Sequence, residues 1–82
     1  MGMRRGGTGP SRADQTYVLE SALLATMTYS GHATLDLAFR NGTVYRYFAV
    51  PGRVVEALRA APSTGAYFHR HIRRRFRYQR LA

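Results

Sequence analysis

The sequence predicts an α+β fold: a three-stranded antiparallel β-meander with two short helices packed on one face. Three observations support this prediction. Residues 34–51 form two arms of alternating apolar and polar side chains around an Asn-Gly turn signal, which is typical of a β-hairpin. Residues 23–29 end in the same alternation and are rich in Thr and Tyr, which favour strands. After Pro51, apolar residues recur at helical spacing.

The register of the hairpin follows from the need for one apolar face. A two-residue Asn-Gly loop would mix apolar and polar side chains on both faces, whereas a three-residue loop with Gly42 in the left-handed region separates them. In that register Asp36 lies opposite Arg46 on the polar face. The apolar face then holds Leu35, Leu37, Phe39, Tyr45, Tyr47 and Ala49. Because a one-residue slip moves every side chain to the other face, the three-residue loop is predicted.

Two helices follow the hairpin. Pro51 is expected at the first helical position, where its missing N–H costs nothing, and the first helix is expected to end before Pro62. Ser63 is the predicted N-cap of a second helix, from Thr64 to about Arg73. The predicted apolar positions of the two helices are Val54, Val55, Leu58, Ala61, Tyr67, Phe68, His71 and Ile72.

The length of 82 residues fits one small domain. Residues 1–15 are rich in Gly, Arg, Ser and Pro and lack an apolar period, so they are expected to form a flexible basic arm before a domain at residues 16–82. The chain has no cysteine, which excludes disulfides and thiolate metal sites. A cytoplasmic location is expected, because there is neither a signal-peptide pattern nor an apolar run that could span a membrane.

The charge of the chain points to an anionic partner. Thirteen Arg residues and no Lys stand against four acids, which gives a formal net charge of +9. Residues 57–82 contain seven of these Arg residues and no carboxylate. Such a field favours a polyanion or an acidic protein surface. A GC-rich genome would also use Arg in place of Lys, so the excess of Arg does not by itself identify the partner.

The C-terminal tail alternates cations and aromatic rings. Guanidinium groups suit phosphate oxygens, and aromatic rings stack on unpaired bases. The predicted nucleic-acid-binding residues are Arg70, Arg73, Arg74, Arg75, Arg77, Tyr78 and Arg80. Alternatively, Phe76 and Tyr78 form a last strand or tail that closes the core, and the Arg side chains only face water.

Several short motifs together resemble the KTSC domain. They are Tyr45-x-Tyr47 followed by Val50-Pro51, then Ser63-x-Gly65-x-Tyr67-Phe68, Ile72-Arg73 and Phe76-Arg77-Tyr78. The resemblance covers roughly residues 18–78. That module occurs at the C-terminus of some lysyl-tRNA synthetases and as a free-standing bacterial or phage protein, the form expected here. The resemblance brings no catalytic residues, and RNA binding has been suggested for the family only from its attachment to a tRNA-handling enzyme.

No catalytic or metal-binding arrangement is recognisable. Asp36 is assigned to Arg46, and Glu56 lies on the outside of a predicted helix. His69 and His71 are two residues apart, about 200° around a helix, and so cannot share a metal ion in the usual way. Ser63 is a cap and lacks the His and carboxylate partners of a nucleophile. The chain is therefore predicted to be no enzyme and to need no cofactor or metal.

The predicted function is a small module that binds RNA or another polyanion. The alternative is a phage or bacterial adaptor that docks on an acidic surface of the transcription or translation machinery. Its contact residues would be Val44, Arg46 and Phe48, since the outer face of the hairpin is expected to expose Val44, Phe48 and Val50. The sequence leaves the oligomeric state open.

Overall fold

A computed structural model describes residues 15–82, which form five strands and two helices. In chain order these are β1 (Gln15–Val18), β2 (Leu24–Tyr29), β3 (Leu35–Phe39), β4 (Val44–Tyr47), α1 (Gly52–Ala60), α2 (Thr64–His71) and β5 (Tyr78–Arg80). The expected basic arm falls on residues 1–14, outside the described part, except that Gln15 belongs to β1.

The described strands form one antiparallel sheet in the order β1-β2-β3-β4-β5. The α+β class is confirmed, but the prediction of three strands was two short. The two additional strands are the edges, β1 and β5. All three residues of β5 are exposed, and so is most of β1, so neither strand carries the apolar alternation by which a half-buried strand is recognised.

The predicted register of the central hairpin is confirmed. Asp36 lies opposite Arg46, Leu37 lies opposite Tyr45, and Gly42 has a φ of 94°. The alternation expected beyond β4 is wrong, because Ala49 also has a positive φ, of 57°. This left-handed residue interrupts the strand pattern, so that Ala49 is exposed while Val50 is fully buried. Val50 donates a backbone hydrogen bond to the oxygen of Ala33 at 2.9 Å.

Both helices contribute to the core that covers one face of the sheet, here called the inner face. Phe68 of α2 and Ile72, just after it, join the buried residues of α1 and the strands. The buried apolar residues are Leu19, Leu24, Met27, Leu35, Leu37, Tyr47, Val50, Val55, Leu58, Phe68 and Ile72. The opposite, outer face has no buried residue in the described strands. Side chains such as Thr28 and Asp36 on that face are only half-buried.

The helix boundaries follow the predictions closely. Ser63 caps α2, since its side-chain oxygen accepts a hydrogen bond from the N–H of Ala66 at 3.2 Å. Pro51 occupies the N-cap position of α1, one residue before the expected place, and α2 ends at His71, which is exposed rather than apolar-facing. Neither helix of residues 15–82 has the length and apolar character needed to cross a membrane.

Candidate nucleic-acid interface

Three tyrosine side chains lie together on the inner face where β4 meets β5. Tyr45 and Tyr47 share this face because side chains two apart on a strand point the same way. Tyr78 of β5 lies opposite Tyr47. The ring of Tyr78 is 5.6 Å from that of Tyr45 and 5.7 Å from that of Tyr47, measured between centroids. The three rings therefore form one continuous aromatic surface.

This surface is the floor of an open cavity of about 780 Å³, here called the tyrosine groove. Its walls come from the β3–β4 turn, from α2 and from the segment that joins α2 to β5. The lining residues are Phe39, Asn41, Thr43, Tyr45, Tyr47, Phe68, His69, Arg73, Arg74, Phe76, Tyr78 and Arg80. A cavity of this volume falls in the range typical of ligand sites.

Three cationic side chains line the same groove. Arg73 and Arg74 follow the end of α2, and Arg80 lies two residues after Tyr78 on the same face of β5. The ion pairs found within residues 15–82 join Arg46 to Asp36 and Arg59 to Glu56, away from the groove. No Asp or Glu side chain of residues 15–82 pairs with these three cations, although the Nε of Arg80 donates a hydrogen bond to the oxygen of Ala82 at 2.9 Å. The groove therefore keeps a net positive charge, with Arg73 and Arg74 as its cations without such a bond.

Burial at the floor of the groove changes the pKa of Tyr47. Desolvation, with smaller contributions from neighbouring Tyr45 and Tyr78, raises the pKa of Tyr47 to about 12, and the positive charge of Arg73 opposes part of this rise. Tyr47 is only 3% exposed, yet it lines the groove. Its hydroxyl thus keeps its proton into strongly alkaline solution.

The structure divides the predicted nucleic-acid-binding residues into three groups. Arg73, Arg74, Tyr78 and Arg80 line the tyrosine groove. Arg70 lines a second, smaller cavity of about 270 Å³. The exposed side chains of Arg75 and Arg77 line neither of these two cavities.

The two aromatic residues of the tail have different positions. Phe76 is half-buried, packs against the core and also lines the groove. Tyr78 belongs to a last strand, as one alternative had it, but its side chain stays 59% exposed. The strand therefore presents the ring of Tyr78 and does not bury it.

Eight lining residues are absent from the predicted nucleic-acid-binding set. Six of them are predicted elsewhere, to the apolar face of the hairpin, to the second helix, to the turn or to the end of the tail: Phe39, Tyr45, Tyr47, Phe68, Asn41 and Phe76. Thr43 and His69 have no predicted role in binding. Tyr78 lies beside Tyr45 and Tyr47 only because β5 pairs with β4. Recognising β5 as a strand would therefore have identified these two tyrosines as part of the site. Asn41 and Thr43 are held together, because the Asn41 side-chain oxygen accepts hydrogen bonds from the Thr43 N–H at 3.0 Å and its hydroxyl at 2.8 Å.

The alternative contact residues lie apart from the groove. Val44 and Arg46 point to the outer face, and Phe48 follows the end of β4. The expected exposed patch of Val44, Phe48 and Val50 is not present as such: Val50 is buried, while Val44 and Phe48 are half-buried. Hydrogen bonding to Asp36 and its negative charge raise the pKa of Arg46, so this cation is already paired.

Comparisons with known proteins agree with the resemblance seen in the motifs. Residues 20–76 match the family model of the KTSC domain. A lysine–tRNA ligase of Trichormus variabilis is 49% identical over 49 residues, which are 60% of this chain but 9% of the ligase. An uncharacterized protein of Stutzerimonas stutzeri is 37% identical over 65 residues, covering 77% of this chain and 92% of that protein. The crystal structure of a KTSC domain protein from Yersinia pestis superimposes with a TM-score of 0.79 at 26% identity, covering 85% of this chain and 100% of that one.

Proposed function

The chain belongs to the KTSC domain family, and from that premise we propose that it is a small non-catalytic module that binds RNA through the cationic side of the tyrosine groove. One observation carries the proposal. Arg73, Arg74 and Arg80 line the same groove as the exposed ring of Tyr78. Phosphate needs cations without carboxylate partners, and an unpaired base needs an accessible aromatic face.

The remaining Arg residues of the tail extend the proposed interface. Arg70, Arg75 and Arg77 lie on the same stretch of chain and are exposed, so they would contact phosphates that flank the groove. Such contacts position a strand without selecting its sequence. Contact by all six Arg residues of the tail would give a log–log dependence of affinity on salt with a slope of roughly −4 for single-stranded RNA.

The choice of RNA rests on the relatives. The matched lysine–tRNA ligases are named for an activity on tRNA, and this chain resembles a segment that is 9% of their length. Residues 15–82 hold no group of three or more His, Asp and Glu side chains placed to bind a metal ion. The groove itself offers Arg and Tyr side chains, which suit binding better than acid–base chemistry.

The proposal is tested by fluorescence polarization of a labelled single-stranded RNA over a series of salt concentrations. Arg73→Gln and Arg74→Gln together are expected to weaken binding and to make the salt slope shallower by roughly 1.4, or 0.7 for each lost contact. Arg53→Gln is the matched control, because Arg53 is exposed on α1 and lies outside the groove. Equal affinities for the wild type and the double variant, or an equal loss per charge in the control, would refute the proposed interface.

A second candidate, a protein-binding adaptor, is favoured by the outer face of the sheet, which neither helix covers. Val44 and Arg46 lie there, and Leu81, which is 42% exposed, bonds to the backbone of Val44. In this case the tail would steer the module to an acidic protein surface. Phe48→Ser would then reduce the capture of a protein from nuclease-treated lysate and leave RNA affinity unchanged. Capture that is lost after nuclease treatment would instead favour the RNA-binding module.

A further inference from the structure

The size and shape of the tyrosine groove restrict what it can hold. It is an open cavity of about 780 Å³ whose floor is made of side chains from β4 and β5. In a duplex the bases are stacked and paired, and their faces cannot reach such a floor. A base that enters the groove must therefore be unpaired.

The aromatic floor provides one accessible stacking surface. Tyr78 is 59% exposed, while Tyr47 is buried and Tyr45 is half-buried. The ring of Tyr78 meets that of Tyr45 at an interplanar angle of 77° and that of Tyr47 at 39°, and these contacts support Tyr78 without burying it. One base can thus stack on Tyr78, and stacking of this kind tolerates any base because every base has a π-face.

Cationic side chains share the groove with Tyr78. Tyr78 and Arg80 are alternate residues on one face of β5, about 7 Å apart along the strand. Arg73 and Arg74, which follow the end of α2, line the same groove. A nucleotide whose base covers Tyr78 therefore has guanidinium groups from two parts of the chain, β5 and the segment after α2, within the same groove.

We propose that the tyrosine groove is a site for one unpaired nucleotide of a single-stranded RNA, with its base stacked on Tyr78 and its phosphate held by Arg73, Arg74 and Arg80. This inference rests on the proposed RNA binding and adds a base-dependent contact to it. It gives Arg70, Arg75 and Arg77 the different role of binding flanking phosphates, since they lie outside the groove.

The experiment compares two competitors that carry the same charge: a single-stranded hexaribonucleotide and a hexamer of the same backbone with every base removed. Each competes for the wild type, Tyr78→Leu and Tyr78→Phe in a polarization assay. The wild type is expected to bind the normal hexamer roughly five- to a hundredfold more tightly, the range expected for one stacked base. This preference should disappear in Tyr78→Leu and remain in Tyr78→Phe.

The outcomes separate the inference from the proposed function. Failure of both hexamers to bind would overturn both. Equal binding of the two hexamers to the wild type would leave RNA binding in place and refute the nucleotide site. A preference that persists in Tyr78→Leu would place the base contact elsewhere and also refute the site.

The folding of Tyr78→Leu needs its own control. Melting curves followed by circular dichroism verify that Tyr78→Leu is folded. If this variant is unfolded, the ring-proton NMR shifts of Tyr78 in the wild type are measured instead on adding each hexamer. Equal shifts caused by both hexamers would refute the site.

Adenosine monophosphate and uridine monophosphate serve as free-nucleotide probes. Displacement by either one as effectively as by the hexamer would assign the groove to a free nucleotide and overturn its assignment to RNA.

Discussion

Arg46 donates two hydrogen bonds to the carboxylate of Asp36 directly across β3 and β4, from Nε to Oδ1 at 2.8 Å and from Nη2 to Oδ2 at 2.9 Å. The pair lies on the outer face of the sheet, whereas Tyr45 and Tyr47, its neighbours on β4, line the groove on the inner face. One short strand thus separates a cation paired with Asp36 from a groove whose cations are paired with no described Asp or Glu side chain.

Asp36→Asn is expected to lower the free energy of unfolding by less than about 1 kcal/mol. Ion pairs that stay in contact with water contribute little, and these side chains are 25% (Asp36) and 41% (Arg46) exposed. Urea unfolding followed by circular dichroism measures the change. A loss of several kcal/mol would mean that the ion pair, and not the apolar inner face, determines the register of the hairpin.

The turn between β3 and β4 depends on the glycine at position 42. Its φ of 94° is unfavourable for any residue with a Cβ, so Gly42→Ala should cost about 1–2 kcal/mol. No atom lies within 4 Å of a Cβ built at Gly42, and the cost is therefore one of backbone conformation rather than of a clash.

Gly52→Ala is the matched control for this prediction. A Cβ at Gly52 would also meet no atom within 4 Å, but Gly52 begins α1 and does not have a positive φ. This substitution should stabilise the protein by roughly 0.5 kcal/mol, because it reduces the entropy of the unfolded chain. Thermal unfolding of both variants should show shifts of opposite sign.

Removing either of two adjacent hydroxyl groups at the start of α2 should change the stability of the protein differently. The side chain of Ser63 caps the helix through the N–H of Ala66, so Ser63→Ala should cost about 1 kcal/mol. The hydroxyl of Thr64 is buried and has no hydrogen-bond partner among residues 15–82. Thr64→Val should therefore be neutral or stabilising. A loss in Thr64→Val equal to that in Ser63→Ala would show that the Thr64 hydroxyl has a partner in solution, such as water.

The central hairpin was predictable because two independent requirements agree on one register. The apolar residues must share a face, and Asp36 must meet Arg46; only the three-residue loop satisfies both. The edge strand β5 was not predictable in the same way, since its side chains are all exposed and no burial pattern distinguishes a strand from a basic tail. Tyr78 is predicted as a binding residue and Tyr45 and Tyr47 are predicted on the inner face, but without β5 the sequence could not place the three rings side by side.

The titration of Tyr47 should lower the free energy of unfolding at alkaline pH. Its pKa rises from about 10 in the unfolded chain to about 12 in the folded one, so the unfolded state loses this proton first. The contribution of Tyr47 is complete below about pH 10 and is lost as the pH rises through 12, with a size of roughly 3 kcal/mol. In Tyr47→Phe, urea unfolding between pH 9 and 12 should show a shallower decline than in the wild type. Identical declines would mean that the Tyr47 hydroxyl is solvated.

Ala49, the left-handed residue after β4, determines how the chain turns Val50 into the core. Ala49 has a φ of 57° and is exposed, so its conformation is set by the backbone and not by packing of its methyl group. Ala49→Gly should relieve this strain and, after the added entropy of the unfolded chain is subtracted, stabilise the protein by about 0.5 kcal/mol. Ala49→Val should destabilise it, because a β-branched residue is least tolerant of a positive φ. Ala57→Gly, in the interior of α1, is the control and should cost up to about 1 kcal/mol. If thermal unfolding ranks Val above Gly at position 49, the segment is extended in solution, and the burial of Val50 must then have another cause.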